Sequence, residues 1–113
     1  MPNDISAILE AYDDPMFLMR ISLCQIHLEE VQEMVRRIGK VEIDIGDGLT
    51  LLHQAASFNR EDLVEYLCSA GHSTEVKTIH GETPLDQAAW KGNIDSAIEL
   101  LRCHFLPSFF YTL

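Results

Sequence analysis

Sliding the chain against itself by 33 residues brings two stretches into register without a gap. Gly48-Leu49-Thr50-Leu51-Leu52-His53-Gln54-Ala55-Ala56 falls over Gly81-Glu82-Thr83-Pro84-Leu85-Asp86-Gln87-Ala88-Ala89, with six of nine columns identical. Leu67 and Leu100 extend the match. A fixed period of this length signals a stack of small units. One such unit cannot bury its own apolar face, so stability has to come from the contacts between neighbours.

The unit itself can be read from its residues. Thr50 and Thr83 stand where a helix begins, and a threonine hydroxyl there accepts a free backbone N–H. Pro84 suits the first helical turn, where its missing N–H costs nothing. Leu52, Ala55 and Ala56 are spaced i, i+3 and i+4, which puts them on one helical face. The paired alanines keep that face flat and let another helix come close. Asn59 and Gly92 are residues that tolerate a left-handed backbone, so each ends its helix. A second helix follows, with Leu63, Val64 and Leu67 as its buried stripe in one unit and Ala97, Leu100 and Leu101 in the next. Gly71 closes the former, and the stretch from Gly71 to Gly81 is long enough for a projecting hairpin.

These motifs resemble the ankyrin-repeat family. The family pattern G-x-T-P-L-H-x-A-A-x-x-G is matched as G-L-T-L-L-H-Q-A-A-S-F-N from Gly48 to Asn59 and as G-E-T-P-L-D-Q-A-A-W-K-G from Gly81 to Gly92. Leu51 stands where the family has proline, Asn59 where it has glycine, and Asp86 where it has histidine. The clear resemblance runs from Ile45 to Cys103. It implies an all-α solenoid of about three helix-turn-helix repeats plus an N-terminal helix.

Upstream the pattern weakens. His27 to Val35 reads as the second helix of a repeat, and Pro15 to Gln25 as its first. Glu29, Glu30 and Glu33 make the polar outer face that a terminal repeat requires. Asn3 or Asp4 can cap a preceding helix whose stripe is Ile5, Ile8, Leu9 and Tyr12. The organisation expected is an N-terminal helix over 1–14, a degenerate capping repeat over 15–44, and repeats over 45–77 and 78–103. An apolar tail over 104–113 either folds back over the end of the stack or stays exposed.

Eight Lys and Arg against 18 Asp and Glu give a net charge of −10 over 113 residues. Such a surface repels phosphate backbones and anionic lipid, so the expected partner is a protein, one with a basic face, rather than nucleic acid or membrane. The acidic N-terminus does not read as a secretory signal. Three cysteines, an odd number, then suit reduced thiols in the cytoplasm or nucleus.

Chemistry-bearing residues are sparse. Cys24 with His27, Cys68 with His72, and Cys103 with His104 are spread over successive units and lack the paired spacing of a zinc site. Gly46-Asp47-Gly48 is a turn signal, not a phosphate loop. No nucleophile-and-base arrangement stands out. The chain is therefore read as no enzyme, with no cofactor and no metal. His53 is read as a structural histidine that ties its helix to a neighbouring loop.

The resemblance implies a partner-binding module acting as scaffold, adaptor or inhibitor. It directs the two residues before the helix-ending position, Ser57-Phe58 and Trp90-Lys91, toward the concave face. It places Asp47 and Leu49, then Ile79, His80 and Glu82, at the hairpin tips. A large aromatic side chain on such a face is typical of an interface hot spot. The alternative for Phe58 and Trp90 is packing against a neighbouring unit. The alternative for the whole chain is a self-associating structural protein that dimerises through its aromatic tail.

Overall fold

A computed structural model describes residues 4–12 and 14–105. Among them are seven α-helices: α1 (Ile5–Ala11), α2 (Pro15–Ser22), α3 (Leu28–Ile38), α4 (Leu51–Ser57), α5 (Glu61–Ser69), α6 (Pro84–Lys91) and α7 (Ile94–Phe105). The described residues contain no strand, only an isolated antiparallel bridge between Asp44 and Thr50. After α1 the helices fall into three pairs. The first helix of each pair forms an inner row (α2, α4, α6) and the second an outer row (α3, α5, α7). Outer helices α3, α5 and α7 pack in succession, and α4 packs on α6.

Local chemistry sets the helix starts. Thr50 accepts from the His53 N–H at 3.4 Å, and Thr83 accepts from the Asp86 N–H at 3.2 Å. Pro84 occupies the first turn of α6. The Asp14 carboxylate accepts from the Met16 N–H at 3.0 Å and opens α2. In α3, the Glu30 carboxylate turns back to accept the His27 N–H at 3.1 Å and also pairs with Arg20. Glu30 is therefore a cap as well as part of the acidic face. Arg36 and Arg37 stand in the last turn of α3 and both pair with Glu33.

The helix ends reveal a register that the sequence hides. Cys24 and Asn59 both have φ 54°, and Gly92 has φ 70°, so one left-handed residue follows every inner helix. Cys24 thus takes the place expected of asparagine or glycine. The interval from Cys24 to Asn59 is 35 residues, against 33 from Asn59 to Gly92, so a fixed offset misses the first unit.

The core is the seam between the rows. Leu52, Ala55, Ala56, Leu63, Val64 and Leu67 are all buried, as their spacing requires. Full burial of a leucine such as Leu52 or Leu67 stabilises by about 1.5–3 kcal/mol. At the C-terminal end the pattern changes. Leu100 is 2% exposed, but Leu101 is 42% exposed, contrary to its place in the expected stripe. Ser96 and Glu99 are buried in its stead. The reason is geometric: α7 buries only the side that faces α5 and α6, and among the described residues no unit covers the other.

At the N-terminal end, α1 lies against α3 and buries Ile8. Tyr12 stacks on Phe17 with ring centroids 4.0 Å apart, and the Arg37 guanidinium sits 4.8 Å from the Tyr12 centroid. Of the two caps expected for α1, Asn3 lies outside the described residues and the Asp4 side chain does not cap the helix. It accepts from the Asp44 N–H at 2.6 Å and pairs with Lys40 at 2.7 Å, tying the start of α1 to the loop after α3.

The loops before α4 and α6 meet directly. The Ile79 N–H donates to the Asp47 carbonyl at 3.0 Å. Gly48, at φ 76°, is pressed against the next loop, where an added Cβ would lie 3.0 Å from the Lys77 carbonyl oxygen and 3.1 Å from the Thr78 Cα. Gly39 has a similar φ of 85° with open space around it. Gly48→Ala should therefore combine strain with a backbone clash and cost about 2 kcal/mol or more, against about 1 kcal/mol for Gly39→Ala. Urea unfolding midpoints of the two variants check the difference.

Candidate protein-binding surface

The surface is built on a frame of bonds between units. His53 is fully buried, and its Nδ1 accepts the Thr50 N–H at 3.1 Å. That fixes the proton on Nε2, which donates to the Glu82 carbonyl at 2.8 Å in the next unit. Burial pushes the His53 pKa down, against the opposing pull of the Glu82 and Val76 carbonyls. In the following unit, Asp86 stands in the equivalent place. Its carboxylate accepts the Thr83 N–H at 2.9 Å, and that bond, followed by the Thr83 hydroxyl, holds its pKa below the usual carboxylate value. Asp86 thus keeps the capping half of the histidine's work. Among the described residues no further loop follows for a donor here to reach.

At the opposite ends of the inner helices, side chains cross to the preceding unit. Arg60 Nη1 donates to the Cys24 carbonyl at 2.9 Å. Asn93 Nδ2 donates to the carbonyls of Ala56 at 2.7 Å and Ser57 at 2.8 Å. Gln54 Nε2 donates to the Ser22 carbonyl at 2.5 Å. Asn59 Oδ1 accepts from both the N–H and the hydroxyl of Ser96. These bonds hold the inner helices in a fixed row.

That row presents the residues singled out in the sequence as two groups. Phe58, the C-cap of α4, is 46% exposed, and Trp90, in the last turn of α6, is 87% exposed. Lys91 beside Trp90 is exposed as well. Asp47, Ile79, His80 and Glu82 are exposed at the loop tips, where Asp47 and Ile79 are bonded to each other, while Leu49 is half-buried. The two groups lie at opposite ends of the inner helices, about 12 Å apart for an eight-residue helix. Packing against a neighbouring unit does not account for a tryptophan at 87% exposure.

The left-handed register adds residues that sequence reasoning missed. Counting back from Cys24, Asn59 and Gly92, Leu23 corresponds to Phe58 and Lys91, and Met19 to Gln54 and Gln87. Leu23 is 44% exposed and Met19 is 48% exposed. Leu23 therefore repeats on α2 the exposed apolar position of Phe58, while Trp90 stands one position earlier in the register, opposite Ser57 and Ser22. The clue available in the sequence was Cys24, three residues before the start of the next helical pattern and in the place of a helix-ending glycine.

The family model for ankyrin repeats, in three copies, matches residues 18–107. The chain belongs to the ankyrin-repeat family. No curated protein matches it as a relative. Ankyrin repeats are generally non-catalytic protein–protein interaction modules, and the all-α architecture agrees with the family. Among the described residues of this ankyrin-repeat chain, no group of three His, Cys, Asp or Glu side chains is placed to hold a metal ion. No helix among them is long and apolar enough to cross a membrane. Of the tail expected over 104–113, His104 and Phe105 continue α7, and 106–113, expected either folded back or exposed, lies outside the described residues.

The ankyrin frame has a pH signature. His72 is buried, its Nδ1 bonds the Ser73 carbonyl at 2.9 Å, and burial pushes its pKa down as it does for His53. Both groups favour the neutral ring in the folded state below the ordinary value of 6.5. Their stabilisation is therefore complete above that pH and is lost as pH falls through the lower folded values. The carboxylates Asp62, Asp86 and Glu30, held low by hydrogen bonds, lose theirs only further into acid. Melting temperature should thus begin to fall just below pH 6.5, well before carboxylate protonation. His72→Gln should flatten that first segment in a pH series of thermal melts.

Proposed function

We propose that this ankyrin-repeat chain is a non-catalytic adaptor, scaffold or inhibitor that docks one protein partner across its inner-helix face and loop tips. The observation that carries the reading is Trp90, 87% exposed in the last turn of α6, with Phe58, Leu23 and Met19 also exposed on α4 and α2. A tryptophan fixed in this way can bury a large area on a partner while giving up little freedom. Lys91, Asp47, His80 and Glu82 supply polar contacts that set orientation, with Ile79 and Leu49 as apolar contacts at the tips.

The charge supports a partner with a basic face. The chain carries −10, and exposed Asp47, Glu82 and Asp86 lie near the tips while exposed Glu61 and Asp95 lie near the other ends of the inner helices. Binding should therefore weaken with salt. The same charge opposes nucleic acid and anionic membrane as partners. An odd cysteine count supports a reducing compartment, the cytoplasm or nucleus, as its setting.

The test is affinity capture of partners on the wild-type chain, followed by titration of the captured partner against variants. Trp90→Ala should weaken binding by about tenfold or more and Phe58→Ala by several-fold. Neither should move the melting temperature by more than about 2 °C, since neither side chain fills the core. A large stability loss with Trp90→Ala would make it a packing residue and remove it from the surface.

A second reading, self-association, is favoured by the outward stripe of α7. Ile94, Ile98, Leu101 and Phe105 are 70%, 52%, 42% and 71% exposed, and with Leu85 the last two line a groove of about 320 Å³. On this reading a second copy covers the stripe, with the aromatic tail beyond it. Light scattering should then show a mass that rises with concentration and that Leu101→Glu returns to monomer. A monomer at every concentration removes this reading.

A further inference from the structure

The stripe of α7 that faces the preceding repeat begins with Asn93, the residue before the helix, and continues through Ser96, Leu100 and Cys103. Asn93 bonds the carbonyls of Ala56 and Ser57, Ser96 bonds Asn59, and Leu100 is buried. Cys103 comes next on this stripe and lies against the core between α5 and α7. Its thiol is in hydrogen-bond contact with that of Cys68, in the last turn of α5. Two thiols from different repeats thus lie side by side in the seam between α5 and α7, near the buried Glu99.

We propose that Cys68 and Cys103 are a modification site, a pair that a peroxide converts to an intramolecular disulfide, pinning the C-terminal ends of α5 and α7 together. The two thiols have different access. Cys103 is half-buried and can meet a small oxidant, whereas Cys68 is 8% exposed. Cys103 sulfur attacks a peroxide oxygen, the O–O bond breaks, and the leaving hydroxide departs as water with the thiol proton. Cys103 is then a sulfenic acid. Cys68 sulfur attacks the sulfenic sulfur, and the hydroxyl leaves as a second water with the Cys68 proton. Two thiols have lost two electrons and one peroxide has become two waters. A dithiol reductant reverses the step by exchange.

The surroundings set the rate. The contact with Cys103, then burial, and the charges of Cys103 and Glu99 hold Cys68 in the protonated form. Reaction is therefore slow beside that of an activated thiol and responds to sustained rather than brief peroxide. Cys24 provides an internal control. It is buried, burial pushes its thiol up to about 11, and it lies at the end of α2, in a different unit.

The experiment treats the full chain with hydrogen peroxide and reads intact mass, the site of cross-linking, and melting temperature with and without dithiothreitol. The expected product is a monomer lighter by two hydrogens, with a Cys68–Cys103 cross-link and Cys24 still open to alkylation after denaturation. Its melting temperature should rise by about 10 °C, because the bond closes a long loop, and dithiothreitol should reverse the rise. Cys24→Ser should keep the cross-link, while Cys68→Ser and the half-buried Cys103→Ser should each abolish it. Oxygen added at Cys103 with no cross-link, a disulfide between two chains, or a cross-link that lowers the melting temperature would each overturn the proposal.

Discussion

The carbonyls at the C-terminal end of a short helix have no acceptor role within that helix, and everything in this molecule depends on where they find donors. Some donors are local, as where the Arg60 N–H meets the Ala55 carbonyl at 2.8 Å, and others come from the next unit. Arg60 reaches the Cys24 carbonyl, and Asn93 reaches those of Ala56 and Ser57. At the other end of the row, His53 donates forward to the Glu82 carbonyl. Each repeat therefore completes the hydrogen bonding of its neighbour as well as covering its apolar face. A single unit removed from this array would keep neither. Stability belongs to the joints, and the proposed docking surface is the outside of those joints.

Much of this order was legible in the chain. The 33-residue identity between Gly48–Ala56 and Gly81–Ala89 gave the period, the threonine caps and the buried faces of α4 and α5. His53 as a tie between a helix and the next loop also followed from the motif. The first unit was harder. A two-residue longer interval and a cysteine in the left-handed position broke the offset comparison, although the backbone does the same thing at Cys24 as at Asn59 and Gly92. Asp4 stands at the start of α1 yet does not cap it, because helix capping and bonding to Asp44 draw on the same carboxylate, and only the fold decides which donor is in reach.

The ends of the stack show a different limit. Periodicity marks which residues share a face but not whether a neighbour exists to cover that face. Leu101 and Ala89 sit at positions that are buried in the middle unit and are exposed here, because the described array stops with α7. The exposure of the candidate surface was legible for a related reason. Trp90 and Phe58 are large apolar residues at positions the repeat pattern turns outward, a mismatch that sequence alone can register. Met19 and Leu23 carry the same mismatch but were hidden with the register of α2.

Asp86 bears on any attempt to lengthen the protein. An aspartate at this place caps its own helix but brings no proton to offer outward. A further ankyrin module grafted after α7 would meet a carboxylate where the Glu82 loop meets an imidazole. Restoring histidine there would be the first edit in building a longer array from this one.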